Sequence, residues 1–100
     1  MPSIESQEFP DPPLRVIFSG RVQGVGFRWT TRSVSKGYEV TGSVKNLADG
    51  TVEVLVDGSS DEVGKFLRAV GRAMKDNISD VQAEKVEGES VPSEGFQIAH

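Results

Sequence analysis

The chain has 100 residues, 15 acidic and 11 basic, a net charge of −4, and no cysteine. That length suits one compact domain and not two. The missing thiols exclude cysteine nucleophiles, C-x-x-C redox chemistry and thiolate metal sites, and the acidic balance argues against a general binder of nucleic acid, which is held through positive surface. One well-placed arginine can still hold a small anion in an acidic protein. The single histidine is His100, so an ordinary histidine base or a multi-histidine metal site is not expected. No apolar run has the length to cross a bilayer, and no basic segment followed by an apolar one opens the chain. A soluble, cytoplasmic protein is the expectation.

Residues 1–13 carry four prolines, three acidic side chains and little that is apolar. They read as a disordered N-terminal tail, with the folded domain spanning 14–100. Leu14, Val16 and Phe18 alternate with Arg15, Ile17 and Ser19, which suits a strand buried largely on both faces. A glycine-punctuated stretch from Gly20 to Gly26 leads into a helix over 27–36, with Phe27, Thr31, Val34 and Tyr38 on one face and Gly37 as its end. Strands over 40–47 and 51–57 flank Asp49-Gly50, a strong hairpin signal. Ser59 and Glu62 have the spacing of a capping box. Behind it, Val63, Phe66, Leu67, Val70 and Met74 form the apolar stripe of a second helix. A strand over 78–86, with a bulge near Glu84-Lys85 where its alternation slips, and a short last strand over 96–99 complete the chain. The order predicts an α+β, ferredoxin-like β-α-β-β-α-β sandwich with an additional short C-terminal strand.

This order has a geometric consequence. A helical crossover makes the first two strands parallel, and the hairpin lets the third lie antiparallel between them. The C-terminal ends of the first two strands then share one end of the sheet. There the loop Gly20–Arg28 leaves one strand and Asn46 ends the other.

The segment Gly20-Arg21-Val22-Gln23-Gly24-Val25-Gly26-Phe27-Arg28 joins a strand to a helix and contains three glycines. Such a loop can turn its N–H groups inward as a nest for an anion, and the helix beginning near Phe27 adds its positive dipole end. The spacing fits neither a Walker loop nor a Rossmann fingerprint. On these grounds phosphate binding and a purely structural strand-to-helix turn both remain open. Arg28 favours the first, because a cation in a helix's first turn opposes the macrodipole and a bound anion would reverse that. The alternative is an Arg28 turned away to a surface carboxylate. Asn46 is either a turn residue or an amide that accepts a proton from water through its carbonyl while its NH₂ group donates elsewhere. Arg21 and Arg32 read as solvated surface, and Trp29 as core.

At these residues the chain closely resembles the acylphosphatase family. The motifs G-R-V-Q-G-V-G-F-R at 20–28 and G-S-V-K-N-L-A-D-G-T-V-E-V at 42–54 stand in the family's order and spacing. From Ser59 onward the likeness is one of pattern. The chain departs from the family at Tyr38-Glu39, where a Leu-Gly pair often ends the first helix, and at Ser43, often aromatic. The resemblance implies a ferredoxin-like fold and hydrolysis of the carboxyl-phosphate bond of acyl phosphates to carboxylate and inorganic phosphate. It implies phosphate binding by Arg28 and by the backbone N–H groups of Gln23, Gly24, Val25, Gly26 and Phe27, and water positioning by Asn46. No metal or organic cofactor is implied. The expected partner is a small-molecule acyl phosphate, with no nucleic acid or membrane, and the expected state is a monomer.

The chemistry agrees with a loop that offers no carboxylate, histidine, cysteine or lysine as general base. The leaving group is a carboxylate whose acid has a pKa of about 4 and departs unprotonated, so charge stabilisation and positioning suffice. A non-catalytic, acylphosphatase-like module that binds phosphate or carbamoyl phosphate is the alternative. A ferredoxin-like RNA binder is disfavoured because the strand over 51–57 lacks a stacking platform and carries two acidic residues.

Overall fold

The structure, a computed structural model, describes residues 4–100. Its elements are β1 (Leu14–Gly20), α1 (Phe27–Ser35), β2 (Val40–Asn46), β3 (Val52–Gly58), α2 (Ser60–Ala73), β4 (Ile78–Lys85) and β5 (Phe96–Ala99), with short 3-10 turns at Ile4–Ser6 and Gly88–Ser90. The strands form one sheet in the order β4-β1-β3-β2-β5. β3 runs antiparallel to both β1 and β2, which are therefore parallel to each other. β5 lies parallel to β2 on its outer side. This is the expected α+β, ferredoxin-like arrangement with an added C-terminal strand.

Alternation along the strands decides which face is covered. Leu14, Val16 and Phe18 of β1 and Val52, Val54 and Val56 of β3 are fully buried, in one cluster with Val63, Phe66, Leu67 and Val70 of α2. The expectation that β1 is buried on both faces is corrected. Arg15, Ile17 and Ser19 are only half-buried, and Arg15 Nε donates to Glu53 at 2.7 Å, with Glu84 at 3.4 Å from its Nη1. An antiparallel neighbourhood allows one face of the sheet to stay wet.

The second helix starts as its sequence signals, and half of the capping box forms. Ser59 Oγ accepts from the Glu62 N–H at 3.1 Å. The Glu62 carboxylate accepts at 2.8 Å from the backbone N–H of Glu39, which ties α2 to the turn between α1 and β2. The first helix ends at Ser35 without a left-handed glycine. Instead the N–H groups of Lys36, Gly37 and Tyr38 bond back three residues, at 3.1–3.3 Å, a 3-10 tightening that satisfies the last carbonyls.

The bulge expected near Glu84-Lys85 is elsewhere. Pairing is regular at Leu14–Lys85 and Arg15–Glu84 and shifts between Ser19 and Gly20, opposite Asp80 and Ile78. The spacing carries the reason: Ile78, Val81 and Ala83 all pack on the core, and a three-residue step between the first two demands one extra residue in a two-residue repeat.

Residues 4–13 also differ from the expectation of a disordered tail, while residues 1–3 lie outside the described residues. Ile4 joins the core cluster against Gly71 of α2, where any Cβ would collide with the Ile4 side chain. Phe9 packs on the same cluster under the Arg68 guanidinium, 5.8 Å from the ring centre. Arg68 Nη2 donates to the Gln7 carbonyl at 3.3 Å, and Ser60 Oγ to the Asp11 carboxylate at 2.8 Å. Met1, Ile4 and Phe9 are few apolar side chains for thirteen residues, but α2 presents the hole that Ile4 fills.

Phe66 is the centre of the packing, fully buried with ring centroids 5.3 Å from Phe96 and 6.4 Å from Tyr38. Phe66→Ala is expected to lower stability by about 3–5 kcal/mol, read as a fall in the urea midpoint. A loss below about 1 kcal/mol would mean that α2 does not organise this core.

Candidate active site

The site begins where β1 ends. Gly20 has φ 124° and lies so close to Asn77 and Ser79 that a Cβ has no room. The Arg21 N–H donates to the Asn77 carbonyl at 2.8 Å, and Asn77 Nδ2 donates back to the Arg21 carbonyl at 3.1 Å. The loop therefore leaves the sheet from a fixed point, and Val22, 1% exposed, roots it in the core. Gly24 and Gly26 then take φ of 77° and 78°, the left-handed region that other residues enter only with strain.

Gly26 is the N-cap of α1, with no side-chain cap and no acidic residue in the first turn. The positive end of this nine-residue helix thus lacks the protein carboxylate that usually complements it, and its first N–H groups are offered to an anion. Phe27 fixes the helix start by packing on Phe18, with centroids 5.1 Å apart. Arg28 follows, its Nη1 3.3 Å from His100 Nδ1 and 3.5 Å from the Ala99 carbonyl oxygen. It is not paired with a surface carboxylate in any of these contacts.

Asn46 arrives from the other side as the last residue of β2, opposite Val52. The hairpin behind it closes through Leu47 N–H to Thr51 carbonyl at 2.9 Å and Gly50 N–H to Leu47 carbonyl at 3.2 Å, with Gly50 at φ 92°. The Asp49 carboxylate accepts from the Thr51 hydroxyl at 2.6 Å and from the Thr51 N–H at 3.0 Å. The hydroxyl first, then the N–H, holds its pKa below the ordinary 3.8.

Arg28 and Asn46 line the same open pocket of about 350 Å³, with Gly24, Gly26 and Phe27 beside them. Gln23 and Val25 do not line it. Gln23 instead sends its side-chain amide across to the hairpin, donating from Nε2 to the carbonyls of Leu47 at 2.8 Å and Thr51 at 2.9 Å. One amide thus locks the loop to the turn that carries Asn46. Sequence reasoning missed this role, since nothing in the spacing of Gln23 points to a hairpin more than twenty residues away. It also missed Trp29, which is not core. Trp29 is 67% exposed and lines the pocket. The signal was present, because two helical steps turn Trp29 about 200° away from the buried Phe27. Val22, Ile98 and His100 complete the lining, the last two brought there by the parallel pairing of β5 with β2.

Among the described residues no group of three His, Cys, Asp or Glu side chains is placed to hold a metal. No helix there is long and apolar enough to cross a membrane. A second depression, on the wet face of the sheet around Arg15, Asp80 and Glu84, offers an anion little, since Arg15 is engaged by Glu53.

Fold and site together define a small α+β protein with an open pocket between a glycine-rich strand-to-helix loop and the end of a hairpin strand. Known proteins are similar to it in sequence and in fold. The family model described as acylphosphatase matches residues 14–98. An acylphosphatase of Treponema denticola is 41% identical over 83 residues, covering 83% of this chain and 84% of that protein. The crystal structure of acylphosphatase from Bacillus subtilis superposes with a TM-score of 0.72 at 32% identity, over 87% of this chain and 97% of that one. Full-length HypF, in a phosphate- and nucleotide-bound crystal structure, matches at 26% identity and TM-score 0.70, over 94% of this chain but only 13% of HypF. The chain belongs to the acylphosphatase family, and it is an acid-anhydride hydrolase by that membership.

Gln23→Ala removes the second donor from the Leu47 and Thr51 carbonyls, which keep the N–H groups of Gly50 and Leu47. At about 0.5–1.5 kcal/mol for each lost bond it is expected to destabilise the chain by about 1–3 kcal/mol, measured by urea unfolding. An unchanged midpoint would show that the loop and hairpin are not held through this amide. The Asp49 carboxylate, with its folded pKa depressed, contributes stability that is present above the ordinary carboxylate range and lost as pH falls through the folded value. Asp49→Asn is therefore expected to flatten the dependence of Tm on pH below about 4, whereas an unaltered acid limb would remove Asp49 from it.

Proposed function

We propose that this site hydrolyses acyl phosphates, with Asn46 holding the water and the phosphate held by Arg28 and the loop N–H groups, those of Gly24, Gly26 and Phe27 at the pocket itself and those of Gln23 and Val25 adjoining them in the chain. What carries the reading is the meeting of Arg28 and Asn46 in one pocket at an uncapped helix N-terminus. Arg28 presents a planar fork of N–H donors to two phosphate oxygens. The loop N–H groups and the helix end add fixed positive potential that needs no reorganisation as charge shifts during transfer.

The Asn46 carbonyl accepts a hydrogen bond from water and orients its lone pair towards phosphorus. A bond forms between the water oxygen and phosphorus as the bridging P–O bond breaks. The bond's electrons leave on a carboxylate that needs no proton, and the water's proton passes to an oxygen of the phosphate itself. The products are a carboxylate and inorganic phosphate. No step calls for a protein base, and none calls for a metal. The same reading makes the protein a cytoplasmic monomer acting on a small molecule, without nucleic acid as a partner.

The competing reading, a non-catalytic module that binds phosphate or carbamoyl phosphate, draws on the likeness to one segment of HypF. Phosphate release from benzoyl phosphate by the purified chain, undiminished in EDTA, supports the enzyme. Binding of inorganic phosphate without release supports the module.

Arg28→Ala is expected to lose at least 10²-fold in turnover, the scale of removing one charge-stabilising donor, and to lose inhibition by inorganic phosphate with it. Arg28→Lys should fail as well, because a point charge cannot reproduce a bidentate contact. Asn46→Ala should lose turnover and keep most phosphate affinity. Asn46→Asp should lose both, since at about 4 Å and an effective dielectric near 20 each like charge contributes roughly 4 kcal/mol of repulsion before screening. Thermal unfolding controls for folding. If both Asn46 variants turn over like the parent, Asn46 belongs to the turn alone and the mechanism fails.

A further inference from the structure

We infer that Trp29 selects the acyl group, and that the site takes acyl phosphates whose acyl part is a planar aromatic or other bulky apolar group. This rests on the reading that Arg28 and the loop hold the phosphate.

The lining is of two chemical kinds. Arg28, Asn46 and the glycine backbone of the loop supply polar groups, while Trp29 and Ile98 are apolar residues of the same pocket. A phosphoryl group has roughly the volume of two or three water molecules, at about 30 Å³ each. It fills a minor part of a pocket of about 350 Å³. In an acyl phosphate one bridging oxygen separates phosphorus from the acyl carbon, so the acyl group must lie against whatever borders the phosphate position.

Trp29 is placed for that contact. It follows Arg28 directly, about 1.5 Å along the helix axis and 100° around it. It is 67% exposed although it is among the most apolar and contact-rich side chains available. Among the described residues the ring contacts join Phe18 with Phe27, Tyr38 with Phe66, and Phe66 with Phe96, and none engages Trp29. The fold therefore gives Trp29 no ring partner, and a planar acyl group bound at Arg28 supplies one. Offset or edge-on ring contact adds to simple burial.

The test compares benzoyl phosphate with acetyl phosphate for the parent, Trp29→Ala and Trp29→Phe. In Trp29→Ala the KM for benzoyl phosphate should rise about tenfold, the KM for acetyl phosphate should change less than about twofold, and inhibition by inorganic phosphate should stay as in the parent. Trp29→Phe, which keeps a ring, should restore most of the preference. Trp29 is the chain's one tryptophan, so its emission reports occupancy directly. Phenacylphosphonate, which replaces the bridging oxygen of benzoyl phosphate by carbon, should quench or shift it, and inorganic phosphate at saturation should not. Equal KM changes for the two substrates overturn the inference, as does unchanged emission at a phenacylphosphonate concentration that saturates the site. Should the parent release phosphate from neither substrate, the hydrolytic reading fails by itself. The emission titration then still decides whether Trp29 receives the ring.

Discussion

β3 lies between β1 and β2 and is hydrogen-bonded to both. Because β3 is antiparallel to each neighbour, the two flanking strands must run the same way and end at the same edge. The glycine loop leaves one of those ends and Asn46 closes the other. Everything the pocket contains depends on this placement, including β5, whose parallel pairing with β2 carries Ile98 and His100 alongside. The interior valines of β3, fully buried between sheet and helices, hold the strand in register. A one-residue slip would turn them to water and misplace both ends together.

The electrostatics of the site run against the protein's overall charge. A chain with net charge −4 leaves the first turn of α1 without an acidic side chain and puts Arg28 there instead. Cation and helix dipole repel each other modestly, at about 0.3–1 kcal/mol when exposed. A dianion between them converts that repulsion into attraction on both sides.

Rigidity reaches the loop from three directions. Asn77 grips its start, Val22 and Phe27 sink into the core at its middle and end, and the Gln23 amide ties it to the hairpin. Positioning is most of what such a site can contribute to a reaction with a good leaving group, since no proton has to be delivered to it. The packing of Ile4 and Phe9 against α2 lies on another part of the molecule and steadies the helix rather than the pocket.

Much of this was legible in the sequence. Two-residue alternation fixed β1 and β3, 3.6-residue spacing fixed α2, and Asp49-Gly50 fixed the hairpin, because each is a local rule whose partners lie within a turn or two. The strand order brought Arg28 and Asn46 to one end, and the motifs around them matched one family over both segments. The sequence by itself therefore determined the elements, the topology and the two polar residues of the pocket. Long-range contacts decided the rest. Whether β1 is covered on one face or two depends on where both helices land, and the β4 bulge sits where Gly20 meets the turn before β4. The hole at Gly71 gives Ile4 a place that composition could not reveal, and the Gln23 amide finds carbonyls on another element. Trp29 stays exposed because, among the described residues, no other element packs over it. These are matters of shape complementarity between segments far apart in the chain, and only the folded structure brings those segments together.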